Sequence, residues 1–489
     1  MSHGGGHLGP PYPATGGGHM RCPVRHPIVL VPGILGSVLE GPTGPLWAPG
    51  KPLLQSLAEL RDPDTTGHPL TLRCDTSSVR ASRLFPDVAV LPGLLRSKGY
   101  AQTVDWVRGH FDVTDGPGGG LLTFPYDWRL DNRVHARRLA EVIDLHVAEF
   151  RERTGAQDTK AVVIAHGMGG LIARYYVEVL GGWRDCRALI TLGTPHRGSV
   201  RALDTLTNGF RHLPGVRSLT RGFPSVHQLL PVYSVIDTGA GHIRIEDAAP
   251  LPGVRRDLVG DGLGFHREIA AAASYNAESF PAYAHQHVTL PLVGTRQGGT
   301  LQSARWNGQG VVCSAEPPGA LVPSALADGD GVVPRVSAMP PALPEDRCRF
   351  VPEAHGALQS PRVLTGRLLE LLVRLQAPGL MDVRGPSDPA ARVPPAISSE
   401  VDDAYVCSVP VALRARVVGA ARAPERVRAT VRREDGETFS LVLGEVAPGR
   451  YEVRRVLEPG LYEIEFAADS GARVPDPVQD CFAVLPEPG

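Results

Sequence analysis

At 489 residues the chain is too long for a peptide module or a disulfide-stapled miniprotein and has room for one large domain and a smaller one. Gly 56 and Pro 46 make up about a fifth of it, below the roughly 25–30% of low-complexity disorder, and 42% hydrophobic residues can fill a core. Lys+Arg 50 against Asp+Glu 51 leaves a formal net charge of -1 with no run of like charge, which excludes a dedicated nucleic-acid binder.

Residues 1–25 set His3, His7 and His19 among glycines and prolines and read as a disordered tail rather than a metal site. Met1 to Pro27 holds no apolar run of the kind a secretory leader needs, and no stretch of about eighteen apolar residues occurs, so a cytoplasmic protein without a transmembrane segment is expected. Cys22, Cys74, Cys186, Cys313, Cys348, Cys407 and Cys481 are scattered, with no C-x-x-C pair, which predicts reduced thiols and no zinc site. Cys407 and Cys481 bracket one segment and would be the pair to bridge in an exported protein.

From Ile28 onward, short β-branched runs alternate with longer helical stretches, as in a parallel sheet covered by helices. Residues 27–31, 120–125, 161–164, 188–192, 290–293 and 348–351 read as strands. Residues 137–153, 171–180 and 363–375 read as helices, the first from the spacing of Leu139, Val142, Ile143, Val147 and Phe150. Residues 377–399, with Pro386, Pro389, Pro394 and Pro395, predict a linker. After it, residues 409–418, 427–433, 438–443, 451–456 and 461–466 are short alternating strands at about ten-residue spacing. Residues 400–489 are therefore expected to form an immunoglobulin-like β-sandwich, an accessory domain that packs on the first or docks a protein partner.

The run Val162-Val163-Ile164-Ala165-His166-Gly167-Met168-Gly169-Gly170-Leu171 is an apolar strand, a turn of small residues and the start of a helix. That is the setting of a nucleophile elbow, where a strained turn raises a serine hydroxyl above the sheet. Here the central position is Gly167, which has no hydroxyl. Val31-Pro32-Gly33-Ile34-Leu35-Gly36 follows the first strand, where a backbone N–H can face an oxyanion, and the residue after the elbow, Met168, supplies the second. Asp330, in Asp328-Gly329-Asp330-Gly331, offers a loop carboxylate with Asp328 as its rival, and His355 follows the last strand of the first domain. In the order elbow, acid, histidine, His355 would be the general base and acid and Asp330 would fix its tautomer. No Walker loop or dinucleotide fingerprint is present, and the glycines of Asp115–Gly120 lack the Lys-Ser/Thr of a phosphate loop, so no cofactor is expected.

Six runs carry a family resemblance across roughly residues 26–376: VLVPGILGS (29–37), FPYDWRL (124–130), the elbow through Tyr176, TLGTPHRGS (191–199), GDGVVPRVSA (329–338) and AHGALQ at His355. The chain resembles the lecithin:cholesterol acyltransferase-like lipases of the α/β-hydrolase superfamily. The resemblance implies an α/β-hydrolase fold, an oxyanion hole from Ile34 and Met168, Asp330 and His355 as triad members, a lid at residues 200–265 and an acyl lipid or ester substrate. The family nucleophile falls on Gly167. Three readings of that glycine stand: a serine-to-glycine exchange in an otherwise competent scaffold, a pseudoenzyme that binds a lipid or a protein, or an Asp330–His355 dyad that activates water directly. The apolar residues Leu203, Leu206, Phe210, Leu219, Phe223, Leu229 and Leu230 either line a lipid-accepting cap or close a core of their own. Tyr126-Asp127-Trp128-Arg129 either frames the substrate mouth or forms a buried ion pair with aromatic support.

Overall fold

The computed structural model describes residues 21–72, 78–319, 327–377, 395–419, 424, 426–469 and 475–487. Most of the expected tail, most of the expected linker, and Cys74 lie outside them. Six strands form the central sheet: β1 (Ile28–Val31), β2 (Leu121–Thr123), β3 (Ala161–His166), β4 (Cys186–Leu192), β5 (Val288–Gly294) and β6 (Arg349–Val351). Their spatial order is β2-β1-β3-β4-β5-β6, and every pairing is parallel. β3 and β4 are buried at every residue, which is why both read as unbroken apolar runs with no alternation. This is the core of an α/β-hydrolase fold. The strand order reverses between β1 and β3, so the loops after these two strands diverge and leave a crevice at their C-terminal ends, the usual place for a ligand in an open parallel sheet.

Helix α1 (Asn132–Thr154) packs Leu139, Ile143, Val147 and Phe150 inward. Its start is fixed by the Asp131 side chain, which accepts from the Arg133 amide at 2.7 Å, and its end by Gly155 at φ 73. The helix runs five residues further toward the N-terminus than its apolar spacing predicts, because the cap rather than a large apolar residue sets the boundary. Helix α2 (Met168–Glu178) leaves the elbow and is buried along its whole length. Residues 200–265 form short helices, a small hairpin and the first part of helix α3 (Arg256–Ser279). Leu203, Leu206, Leu219, Phe223, Leu229 and Leu230 are buried in the same apolar core as the sheet, with Phe210 packed against it, so these side chains close a core. Asp127 and Arg129 form a buried bidentate ion pair, Nε at 2.9 Å and Nη2 at 2.7 Å, and the intervening Trp128 is buried against Trp47 and Phe223. Of the two readings of that motif, this is the structural one.

Eight further strands follow: β7 (Ala396–Ser399), β8 (Ala404–Val406), β9 (Val411–Val418), β10 (Arg426–Arg433), β11 (Thr438–Ala447), β12 (Arg450–Arg455), β13 (Gly460–Asp469) and β14 (Val478–Leu485). They make one curled sheet in the order β7-β9-β12-β11-β10-β13-β14-β8. The ten-residue β11 turns the corner, pairing with β10 through Thr438–Leu443 and with β12 from Gly444 onward. Both halves thereby face one core containing Leu413, Val431, Tyr451, Ile464 and Phe482. β7 occupies the last four residues of the expected linker; the neighbouring prolines mask a strand that is held by pairing with β9. Cys407 and Cys481 are free thiols, the first half-buried and the second buried, so the bridge considered for them does not form.

Candidate active site

The site is built on four loops at the C-terminal edge of the central sheet. After β3 the chain turns through Gly167 at φ 51 and ψ -123, a conformation that strains any residue with a β-carbon. The Gly167 amide donates to the Leu192 carbonyl at 2.9 Å, extending the β3–β4 pairing into the turn. Gly169 and Gly170 let the helix start pack tightly: a β-carbon would stand 2.2 Å from the Pro32 carbonyl oxygen at the first and 1.9 Å from Thr194 Oγ1 at the second.

Asp330 and His355 meet over this turn. His355 Nδ1 lies 2.8 Å from Asp330 Oδ2, and both residues are buried. Asp330 Oδ1 accepts from the amides of Val332 at 3.0 Å and Val333 at 2.7 Å, so its own turn fixes the carboxylate. The His355 amide donates to the Asp330 carbonyl at 2.9 Å, which joins the two loops through the main chain as well. A β-carbon on Gly167 would stand 3.1 Å from His355 Nε2, so the free face of the imidazole points at the elbow. The rival carboxylate, Asp328, takes no part in the pair; burial pushes its carboxyl up, and its Oδ1 has no partner among the described residues.

Ile34 follows β1 and Met168 opens α2, and both border the space over Gly167. Neither amide donates to a backbone carbonyl among the described residues. Leu35 sits at φ 65, a strained conformation for a residue with a β-carbon, held there by Trp47 Nε1 donating to its carbonyl at 3.0 Å. The first turn of α2 carries no acid, so its positive dipole end faces the elbow uncompensated. Of the five residues expected from the sequence, Ile34, Gly167, Met168 and His355 border one space, and Asp330 reaches it through His355.

Other members of the site have no role assigned from the sequence, although Gly33, His166 and Gly193 lie within the quoted motifs. The Gly33 amide donates to Tyr100 Oη at 2.8 Å, Tyr100 Oη donates to His166 Nδ1 at 2.7 Å, and His166 Nε2 donates to the His355 carbonyl at 3.0 Å. Burial, with His355 alongside, drives the His166 pKa down to about 3, so the imidazole is neutral and one tautomer serves both contacts. The chain of bonds ties the loop after β1 to the histidine loop. Gly193 and Gly294, at the ends of β4 and β5, leave room for the pair: a β-carbon would stand 2.8 Å from Asp330 Oδ2 at the first and 2.5 Å from Asp330 Cβ at the second. His196, from the TPHRGS run, is buried, with Nδ1 3.4 Å from Arg174 Nη1 and Nε2 3.3 Å from Thr191 Oγ1.

Two spaces meet at His355. One is an apolar slot of about 30 Å³ lined by Ile34, Leu94, Met168, Leu229 and Val333, on the scale of one or two waters. The other is a polar chamber of about 610 Å³ toward the second β unit, bordered by Arg96, Arg201, Asp204, Glu400, Asp402 and Asp403. Among the described residues no cluster of His, Cys, Asp and Glu could hold a metal ion, and no helix is long and apolar enough to cross a membrane.

The family described as lecithin:cholesterol acyltransferase matches residues 77–248, which contain the elbow. Among solved structures, the chain is similar to Bacillus licheniformis lipase BlEst2 in its propeptide form, at 11% identity over 94% of each chain with a TM-score of 0.37. It is also similar to the mature form of that lipase, at 14% identity over 73% of this chain and 96% of the other, with a TM-score of 0.36. No curated protein matches it.

Proposed function

We propose that this chain is the scaffold of an ester hydrolase or acyltransferase in which position 167 is the nucleophile's seat, His355 the general base and acid, Asp330 its orienting carboxylate, and the amides of Ile34 and Met168 the oxyanion donors. The observation that carries the reading is His355 Nε2, aimed 3.1 Å from where a β-carbon of residue 167 would stand. With serine there, its hydroxyl would attack the acyl carbon and pass its proton to Nε2. The tetrahedral oxygen would be held by the two amides, and the proton would then go to the leaving alcohol. Glycine removes that covalent route, a loss on the order of 10⁶-fold in kcat for a triad nucleophile.

The slot against Gly167 and His355, large enough for a water, favours a second reading of the same residues. His355 would then take a proton from water as its oxygen bonds to the acyl carbon, and return that proton to the departing alcohol. The slot suits a short acyl group and the chamber a polar alcohol. The all-β unit, immunoglobulin-like by its strand spacing, is the accessory part of this scaffold.

The test is ester turnover by the chain as it stands, by Gly167→Ser and by each with His355→Ala. Turnover gained only by Gly167→Ser and lost with His355→Ala supports the first reading. Turnover by the chain as it stands that disappears with His355→Ala supports the second. A folded Gly167→Ser protein inert toward every ester, with the unsubstituted chain inert too, rejects both.

A further inference from the structure

We propose that the second β unit braces the Asp330–His355 pair, and that Gln297 and Glu353 are the positioning residues through which it does so. The proposal rests on the functional reading above, since it takes the alignment of this pair to matter.

The acid loop is held through Gln297. Its backbone pairs with the loop, the amide donating to the Gly329 carbonyl at 2.9 Å in a bridge with Asp330. Its side chain, buried, reaches the opposite way: Nε2 donates to the Ile397 carbonyl at 3.1 Å and Oε1 accepts from the Ser399 amide at 3.0 Å. One residue therefore adds a rung to each of two structures, the Asp330 turn and strand β7. The next residue repeats the link, with the Gly298 amide donating to Ser398 Oγ at 2.8 Å.

The histidine loop is held on both flanks. Glu353, two residues before His355 and fully buried, accepts from the Gln479 amide of β14 at 3.0 Å and pairs with Arg362. Ala354 is buried in the apolar core of the β unit itself, beside residues of β7 and β9. After His355, the Gly356 carbonyl accepts from the Lys98 amide at 3.0 Å. Lys98 Nζ in turn donates to Gln479 Oε1 at 3.0 Å. Arg96, two residues earlier, bridges Asp403 at 2.9 Å and Asp480 at 2.8 Å.

An appendage that merely rests on a domain has no need to direct its polar contacts at particular loops. Here they reach the two loops directly at Glu353, two residues before His355, and at one remove through Gln297, which bonds Gly329 beside Asp330, and Lys98, which bonds Gly356. A small displacement of a reacting group costs rate far out of proportion to its size, so attachment at these points bears on alignment.

The experiment uses the full chain. The proton shared between His355 Nδ1 and Asp330 should give a downfield proton resonance, identified by its loss in His355→Ala. Gln297→Ala and Glu353→Ala are expected to broaden or abolish it while circular dichroism stays native, and Glu353→Gln, which keeps an acceptor for the Gln479 amide, should restore it. In the Gly167→Ser background the two alanine variants should lower kcat on the order of 10-fold to 100-fold with KM little changed. Should either variant unfold, Ser398→Ala is the milder change and should speed solvent exchange of the same proton severalfold. A resonance equally sharp and slow to exchange in folded Gln297→Ala, Glu353→Ala and Ser398→Ala would overturn the brace. A resonance missing from the parent chain would instead overturn the pair and, with it, the functional reading.

Discussion

Replacing Gly193 by alanine tests whether the space behind the pair is as tight as its geometry requires. Gly193 sits at φ 56, and an added β-carbon would stand 2.6 Å from Leu358 Cδ1, 2.8 Å from Asp330 Oδ2 and 3.0 Å from His355 Nδ1. Leucine can swing aside. The carboxylate cannot, because two amides hold its other oxygen. The left-handed backbone alone should cost about 1–3 kcal/mol, and overpacking about as much again, for a total of about 2–6 kcal/mol. Gly299→Ala is the control: φ is 74, but nothing lies within 4 Å of the new atom, so only the strain of about 1–3 kcal/mol applies. Denaturant unfolding of both variants beside the parent measures the difference, and the downfield His355 proton reports whether the pair has parted. If Gly193→Ala proves no more destabilising than Gly299→Ala and leaves that proton unchanged, the claim of close packing behind the pair is wrong.

Burial lowers the pKa of His26 and His166 to about 3 and of His135 and His266 to about 4. Each stays neutral in the fold but takes a proton on unfolding below about pH 6.5. Their contribution to stability is therefore complete above that pH and is lost as pH falls toward 4, at up to about 1.4 kcal/mol per pH unit for each group; unfolding midpoints flat from pH 7 to 4.5 would contradict this. Arg129→Met strands the buried Asp127 carboxylate and should cost about 3–5 kcal/mol in denaturant unfolding, against under about 1 kcal/mol for removing the exposed partner in Arg428–Asp469. Given the volume of the slot, Gly167→Ser should turn over acetyl esters faster than palmitoyl esters of the same alcohol, and the reverse order would show that the apolar space is larger than described.

Much of the site was legible because its signals are local. A buried parallel strand needs apolar residues on both faces, so β3 and β4 stand out. The elbow needs small residues where the helix start meets Pro32 and Thr194, and Gly169 and Gly170 mark that need. Asp330 and His355 follow in the order such a site requires. The rest depends on distant partners. Tyr100 reaches His166 across 66 positions in the chain, and Gln297 reaches Ser399 across 102, with nothing in the flanking residues to announce either contact. Strand β14 is buried at nearly every position and so lacks the alternation that revealed its neighbours. Strand β7 borders a proline pair and is held by long-range pairing. The apolar residues of 200–265 fit a cap or a core equally well until their neighbours are known.

On the proposed function, residue 167 and His355 share one reacting centre. Treating Gly167→Ser with a fluorophosphonate and mapping the adduct by peptide mass spectrometry tests it most directly. A single adduct is expected on the peptide carrying position 167, strongly reduced by His355→Ala and absent from the unsubstituted chain. A folded Gly167→Ser protein that takes no label, or takes it independently of His355, would contradict it.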